Sequence, residues 1–297
     1  MKVGLVLPMF SGDTERVLAF ARSVEELGFD GLFAFDHLFP PGAPSDRPSL
    51  EAFTTLSAVA AATRTISVGT LVTRASLRGA GLIAKLAASV DDVSGGRMIL
   101  GIGTGDPLDR PEHDVFGLPY LDKAERRGHL VETVRAVRAL FVGDRWEGGR
   151  FVPPIDGPLL PRPLTPGGPP IWIGGFADTV VRLAGREADA WNGWGMSAGE
   201  FERKTGLLRA AADEAGRSVA PTWAGIVVVG NDDDEVARSL RERARRGLEP
   251  DVWSGTVRAL IDWLRWLERV GATWAVLVPG GRHELIGDAV LPHIDRG

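Results

Sequence analysis

The chain has 297 residues, of which 44% are hydrophobic and 25% charged, with a formal net charge of −5 and no cysteine. That is enough apolar sequence for one large core or two small ones. The acidic balance argues against a nucleic-acid partner. The lack of cysteine excludes disulfides, thiolate metal sites and a cysteine nucleophile, and fits a cytoplasmic setting.

Apolar runs of strand length alternate with amphipathic runs of helix length. Residues 3–7 read as the first strand, in an apolar run too short for a signal peptide. Asp13 is placed to cap a helix to Leu27, in which Val17, Phe20, Ala21, Val24 and Leu27 recur with helical spacing and Gly28 ends the run. Residues 31–35 form the second strand, 50–62 a helix, 66–72 the third strand, 81–93 a helix, 98–102 the fourth strand and 123–141 a long helix. Residues 143–170 are rich in Pro and Gly and read as an excursion. Strand five follows at 170–173, a helix at 178–187, strand six at 188–191, a helix at 198–215 and strand seven at 221–229. Helices at 232–246 and 256–270 precede strand eight at 274–278, and a short helix closes the chain. No run reaches the roughly 18 apolar residues of a membrane span.

Eight such units predict an α/β protein: a (β/α)8 TIM barrel, one domain over 1–297, with the excursion between strands four and five. Strands such as Ile226, Val227, Val228 and Val229 are continuously apolar, as parallel strands covered on both faces should be. A doubly wound open sheet is the competing arrangement.

In a barrel, function gathers where strands end. Gly101, Gly103 and Gly105 alternate along strand four and its exit, leaving no side chain where a flat ligand could lie against backbone. Asp106 follows at the lip; it also reads as the start of a turn before Pro107. Asp36 and His37 end strand two, where the histidine is either a proton carrier or a packed side chain with Asp36 capping a turn. Gly174 and Gly175 lie between a strand and a helix and suit either a phosphate or a bare turn. The five histidines form no H-x-H or H-E-x-x-H spacing, so no metal site is expected. Gly101-x-Gly103-x-Gly105 lacks the dinucleotide fingerprint spacing, and no Walker lysine or G-x-S-x-G elbow is present. Arg238, Arg241, Arg243, Arg245 and Arg246 follow acidic residues at the helix start and read as a solvated face. Leu260, Trp263, Leu264 and Leu267 read as core; for Trp266 an exposed anchor for a subunit interface is the lesser of the readings open to it.

Residues 28–37 (GFDGLFAFDH), 66–70 (ISVGT), 94–105, 169–175 (PPIWIGG), 187–191 (EADAW) and 254–256 (SGT) together resemble the bacterial luciferase-like flavin and deazaflavin oxidoreductases along most of the chain. The Asp-His pair after strand two is similar to the branch that uses coenzyme F420. The resemblance implies a hydride-transferring oxidoreductase acting on a small organic substrate, with His37 and Asp106 flanking the reactive carbon. It further implies that Asp36, His37, Thr70, Leu71, Val72, Gly103, Thr104 and Gly105 surround the ring. A non-proline cis peptide at Leu71–Val72 would lie behind it, with Gly174 and Gly175 on the cofactor phosphate. A homodimer is also implied. FMN with O2 and a separate flavin reductase is the alternative chemistry, and a non-catalytic binding barrel the alternative class. Sugar-phosphate dehydrogenases of this type carry a tryptophan where this chain has Pro41, a lysine absent near Gly195, Met196 and Ser197, and glutamate in place of Asp106. Glucose 6-phosphate is therefore not the expected substrate.

Overall fold

The computed structural model describes residues 1–41, 47–248 and 252–295. The strands are β1 (Lys2–Val6), β2 (Gly31–Ala34), β3 (Ser67–Thr70), β4 (Thr73–Arg74), β5 (Met98–Gly103), β6 (Ile171–Gly174), β7 (Ala190–Trp194), β8 (Ala220–Gly230), β9 (Trp253–Thr256) and β10 (Trp274–Val278). The helices are α1 (Thr14–Glu26), α2 (Ala52–Ala62), α3 (Ala80–Ser94), α4 (Arg110–Val115), α5 (Lys123–Val142), α6 (Asp178–Glu187), α7 (Ala198–Glu214), α8 (Asp233–Arg245), α9 (Val257–Arg269) and α10 (His283–Ala289). Strand order is β10-β1-β2-β3-β5-β6-β7-β8, all parallel, and β10 pairs back onto β8. The sheet closes through Lys2 opposite Trp274 and Trp274 opposite Thr222. This is an eight-stranded TIM barrel with β4 and β9 as short additions to β5 and β8. No helix among the described residues is long and apolar enough to cross a membrane.

Large rings fill the barrel interior. Phe33 meets Trp172 at 5.3 Å and Trp274 at 5.6 Å, and the two tryptophans meet at 5.7 Å. Glycine in the surrounding wall makes room for them: a Cβ at Gly4 or Gly31 would come within 2.9 Å of Phe33. The helices bury apolar stripes on the outer wall in a second, larger core. Helix starts are capped as their residue types suggest, with Asp13 accepting from the Arg16 amide, Ser197 from Glu200 and Asp232 from Glu235.

The amino-terminal ends of the strands are fastened by charged side chains on backbone groups. Asp30 accepts from the Val3 amide at 2.8 Å, and Asp189 from the Ile171 amide at 2.7 Å. Glu25 accepts from three successive amides at Arg64, Thr65 and Ile66. Arg97 donates to the carbonyls of Ser94, Ile66, Ala60 and Thr63. The 143–170 segment is held similarly: Glu132 accepts from the Arg150, Phe151 and Val152 amides, and Asp91 from the Thr165 amide.

Several boundaries differ from the sequence expectation. The third strand stops at Thr70, because the chain leaves the wall through a cis Leu71–Val72 bond and returns as β4 against β5. The sixth strand runs 190–194 and not 188–191, because the Ala188 amide still bonds Ala184 at the end of α6. Asn192 and Gly193 hide that strand in the sequence, yet Asn192 is buried with its amide 2.9 Å from Thr222 Oγ1. β9 and α4 were not expected. Trp266 is not a free anchor: it is half-buried and stacks on Trp263 at 4.9 Å, and Trp263 meets Trp223 edge-on at 5.7 Å.

Candidate active site

His37 leaves the carboxyl end of β2 with its side chain 23% exposed. Its Nδ1 lies 2.7 Å from Glu112 Oε1 on α4, whose side chain is fully buried. Glu112 Oε2 accepts from the Leu38 amide and from Arg74, each at 2.7 Å. The chain around His37 is therefore gripped twice by one carboxylate, through the ring and through the next amide. Arg74 leaves β4 and also donates to the Asp36 carbonyl at 3.1 Å. Its Nε and NH1 are buried without a hydrogen-bond partner among the described residues. Asp109 stands close by, 3.7 Å from His37 Nδ1 and 3.9 Å from Arg74.

These surroundings push the two carboxyls in opposite directions. Burial raises Glu112, but the His37 and Leu38 hydrogen bonds and the Arg74 charge outweigh it and hold the group below its ordinary value. Burial also raises Asp109, and there the weaker influence of Arg74 and the Asp106 amide leaves the group above its ordinary value. Ionised Glu112 fixes the imidazole orientation. Facing that carboxylate, Nδ1 is the donor of the pair, so in the neutral ring Nε2 is the nitrogen with the lone pair. No described residue hydrogen-bonds Nε2. The arrangement can take a proton from a substrate hydroxyl and return it.

The other expected residues fall into distinct places. The Asp36 carboxylate is buried, held by Arg78 at 2.5 and 3.0 Å and by the Thr73 hydroxyl. It therefore positions the strand exit and presents no free oxygen. Thr70 is fully buried and donates to the Gly101 carbonyl at 2.7 Å. The Leu71–Val72 bond is cis, and Leu71 joins the aromatic interior of the barrel. The glycines do not form the bare floor expected. A Cβ at Gly101 would lie 2.2 Å from the Thr70 carbonyl oxygen, and one at Gly103 2.6 Å from Val72. Their missing side chains admit the protein's own bulge, and half-buried Val72 covers Gly101, Gly103 and Gly174. Thr104 turns its hydroxyl onto the Gly105 carbonyl, and Gly105 is left-handed at φ 71° above Arg74.

Asp106 is exposed and its carboxylate accepts from the Leu108 amide at 2.6 Å, while its own amide donates to Asp109 at 2.8 Å. It starts a tight turn, and Asp109 links that turn to His37. Gly174 ends β6 opposite Asn192, and Gly175 adopts φ 155° just before α6. Ala177 at the start of α6 offers no side-chain cap; the Val180 amide bonds the Ala177 carbonyl at 2.8 Å, which leaves the Asp178 and Thr179 amides for another acceptor.

Sequence reasoning missed Glu112, Asp109, Arg74 and Arg78. The only signal was acid density between Pro107 and Asp114, on a helix too short for periodicity to register. His37, Asp109 and Glu112 also offer three possible metal-ligand atoms within 4.8 Å, a grouping the spacing of histidines gave no reason to expect. Arg74 already supplies a positive charge to both carboxylates, so a divalent ion would meet a fixed cation.

A parallel barrel with a carboxylate-held histidine at its open end is the setting of a proton-handling enzyme. The luciferase-like monooxygenase family matches residues 1–273, and the chain belongs to it. Among curated relatives, it is 30% identical over 306 residues to an F420-dependent hydroxymycolic acid dehydrogenase of Mycobacterium tuberculosis, covering 97% of this chain and 79% of the relative. It is 33% identical over 206 residues to an F420-dependent glucose-6-phosphate dehydrogenase of Nakamurella multipartita, covering 66% of this chain and 58% of that one. That match spans less than two thirds of the relative's length. Among solved structures, an F420-dependent secondary alcohol dehydrogenase in complex with an F420–acetone adduct superposes with a TM-score of 0.85 over 99% of both chains, at 18% identity.

Proposed function

We propose that the protein is an F420-dependent oxidoreductase that moves hydride between the deazaflavin and a small organic substrate, with His37 as the proton partner. The observation that carries the reading is the buried Glu112 on Nδ1 of His37, which leaves Nε2 as the open base. The coenzymes named for the relatives favour the deazaflavin. The residues present suit such a group. Val72 offers an apolar platform at the open end of the barrel, and Gly174, Gly175 and the uncapped start of α6 suit a phosphate. When bound, the coenzyme supplies a two-electron hydride acceptor.

The protein's own part is to orient substrate and handle one proton. Nε2 of His37 accepts the proton of a substrate hydroxyl as the carbinol carbon loses its hydride, and returns it in the reverse direction. Glu112 holds the imidazole in the required tautomer and stabilises the imidazolium that forms. Arg74 keeps Glu112 ionised, and Asp36, held by Arg78, fixes the strand end from which His37 projects.

Titration of the purified protein with coenzyme F420 and with FMN, followed by fluorescence, tests the reading. Saturable binding of F420 with little binding of FMN is expected. The reverse preference would place the protein with the flavin monooxygenases, and binding of neither would leave a barrel without redox chemistry.

A further inference from the structure

On the reading just given, we infer that Lys204 of α7 is the positioning residue for the coenzyme phosphate: its ammonium pins the 175–178 turn and holds Asp178 off the backbone amides that a phosphate would use. Lys204 is only 4% exposed, and a lysine is almost never buried to that extent unless it is paired. Its Nζ donates to the Phe176 carbonyl and, at 2.9 Å, to Asp178 Oδ1. The preceding residue, Arg203, grips the same carboxylate with bonds of 3.0 and 3.1 Å. The Arg203 bonds, and then the Lys204 bond, hold the Asp178 carboxyl well below its ordinary value. Glu200 Oε1 lies 3.8 Å from Lys204, so the two cations face two carboxylates. The cluster brings no net charge to a phosphate, and its role is therefore placement.

The turn is tied down by its carbonyls. The Gly175 carbonyl accepts from the Trp191 indole at 3.0 Å, the Phe176 carbonyl from Lys204, and the Ala177 carbonyl from the Val180 and Val181 amides at 2.8 and 3.0 Å. The amides of Phe176, Ala177, Asp178 and Thr179 meet no acceptor among the described residues. Engaged carbonyls and open amides at the start of a ten-residue helix are arranged for an anion. Asp178 is the acid of that first turn. A carboxylate there is drawn to the positive end of the helix, where it would compete with a phosphate. Arg203 and Lys204 take the carboxylate instead, Lys204 from the buried side, where the same ammonium also fixes the Phe176 carbonyl. Without Lys204, the turn loses a tether and the acid is free to swing onto the open amides.

The test compares coenzyme F420 with its riboside, the same deazaflavin without the phosphate, by fluorescence titration. Lys204→Met should raise Kd for F420 roughly tenfold, the scale of a lost hydrogen bond to a charged group, and leave Kd for the riboside unchanged. Adding Asp178→Asn to Lys204→Met should recover part of the affinity, which a merely distorted turn would not allow. Arg203→Ala, at a side chain 54% exposed, should give the same selective loss on a smaller scale, and it decides the matter if Lys204→Met does not fold. Equal losses for F420 and the riboside, no loss for either, or a loss that Asp178→Asn does not relieve overturns the inference. If the wild type binds neither compound, the functional reading fails, and inorganic phosphate is the probe. A rise in Tm of the wild type with phosphate, weakened in Arg203→Ala and Lys204→Met, supports the anion role of the turn; no rise, or an equal rise in the variants, overturns it.

Discussion

The two ends of the barrel use charge in opposite ways. At the amino-terminal end, Glu25, Asp30, Arg97 and Asp189 spend their hydrogen bonds mainly on backbone amides and carbonyls that the strand ends expose. At the carboxyl end, His37, Arg74, Arg78, Asp36 and Glu112 bond chiefly to one another, with one imidazole nitrogen left over. Backbone groups at a strand end cannot move without unfolding the strand, so the first arrangement stabilises. Side chains bonded to side chains are a network in which one proton can be repositioned, so the second can do chemistry. Charge at one end should therefore read out in stability, and at the other in rate and its pH dependence.

His37→Ala gives the largest expected effect. Loss of a positioned general base lowers kcat by about 10²- to 10⁴-fold, while F420 affinity, measured by fluorescence, changes little. Unaltered turnover would remove His37 from the reaction. Glu112→Gln comes next, with kcat reduced roughly 10- to 100-fold, the scale of losses for groups that orient a functional histidine. Its distinguishing readout is the rate profile. The imidazolium loses its nearer anionic partner and keeps only Asp109, which it shares with Arg74, so the acid limb of kcat/KM moves to lower pH. A merely structural Glu112 would lower active protein without moving that limb. In the wild type, the folded-state value of Glu112 is depressed. Its contribution to stability is present above the ordinary carboxylate range and is lost as pH falls through the depressed value.

The amino-terminal end should answer differently. Arg97→Ala removes donors from the Ser94, Ile66, Ala60 and Thr63 carbonyls and leaves those in the interior unsatisfied. A loss of about 2 kcal/mol in unfolding free energy is expected, with kcat and the pH profile of the surviving folded protein unchanged. A shifted profile would show that the two ends are coupled.

Apolar continuity made the barrel legible: seven of its eight strands were sequence runs of Val, Ile, Leu and Ala or short apolar stretches close to their observed positions. The exception, β7, carries Asn192 and Gly193 inside the wall, where Thr222 satisfies the amide and Trp191 takes the space a Cβ would need. Of the candidate site, His37 was visible in the sequence as a histidine at a strand end, and the cis bond at Leu71–Val72 through the resemblance. The partners of His37 were not, because Arg74 and Glu112 are brought together only by closure of the wall, 38 residues apart. The alternate glycines were noticed for a sound reason, close approach, but the approaching groups belong to the same chain: the Thr70 carbonyl and Val72 at Gly101, Val72 at Gly103, and Asp109 and Arg74 at Gly105.

Asp106 gives the smallest effect and the finest test of the comparison, because it sits at the carboxyl end yet behaves like the charges of the other end. Its carboxylate is exposed and accepts from a backbone amide at Leu108, and its own amide is bonded by Asp109. Asp106→Ala should therefore cost about 1 kcal/mol, as loss of a capping side chain does. In a chain of this size that lowers Tm by roughly 2–4 °C. The acid and base limbs of the rate profile should stay where they are in the wild type, since the proposed proton partner is His37, which Glu112 orients. A limb that disappears in Asp106→Ala while persisting in Glu112→Gln would reverse the assignment: Asp106 would be the proton donor, and the buried Glu112 one more charge holding backbone in place.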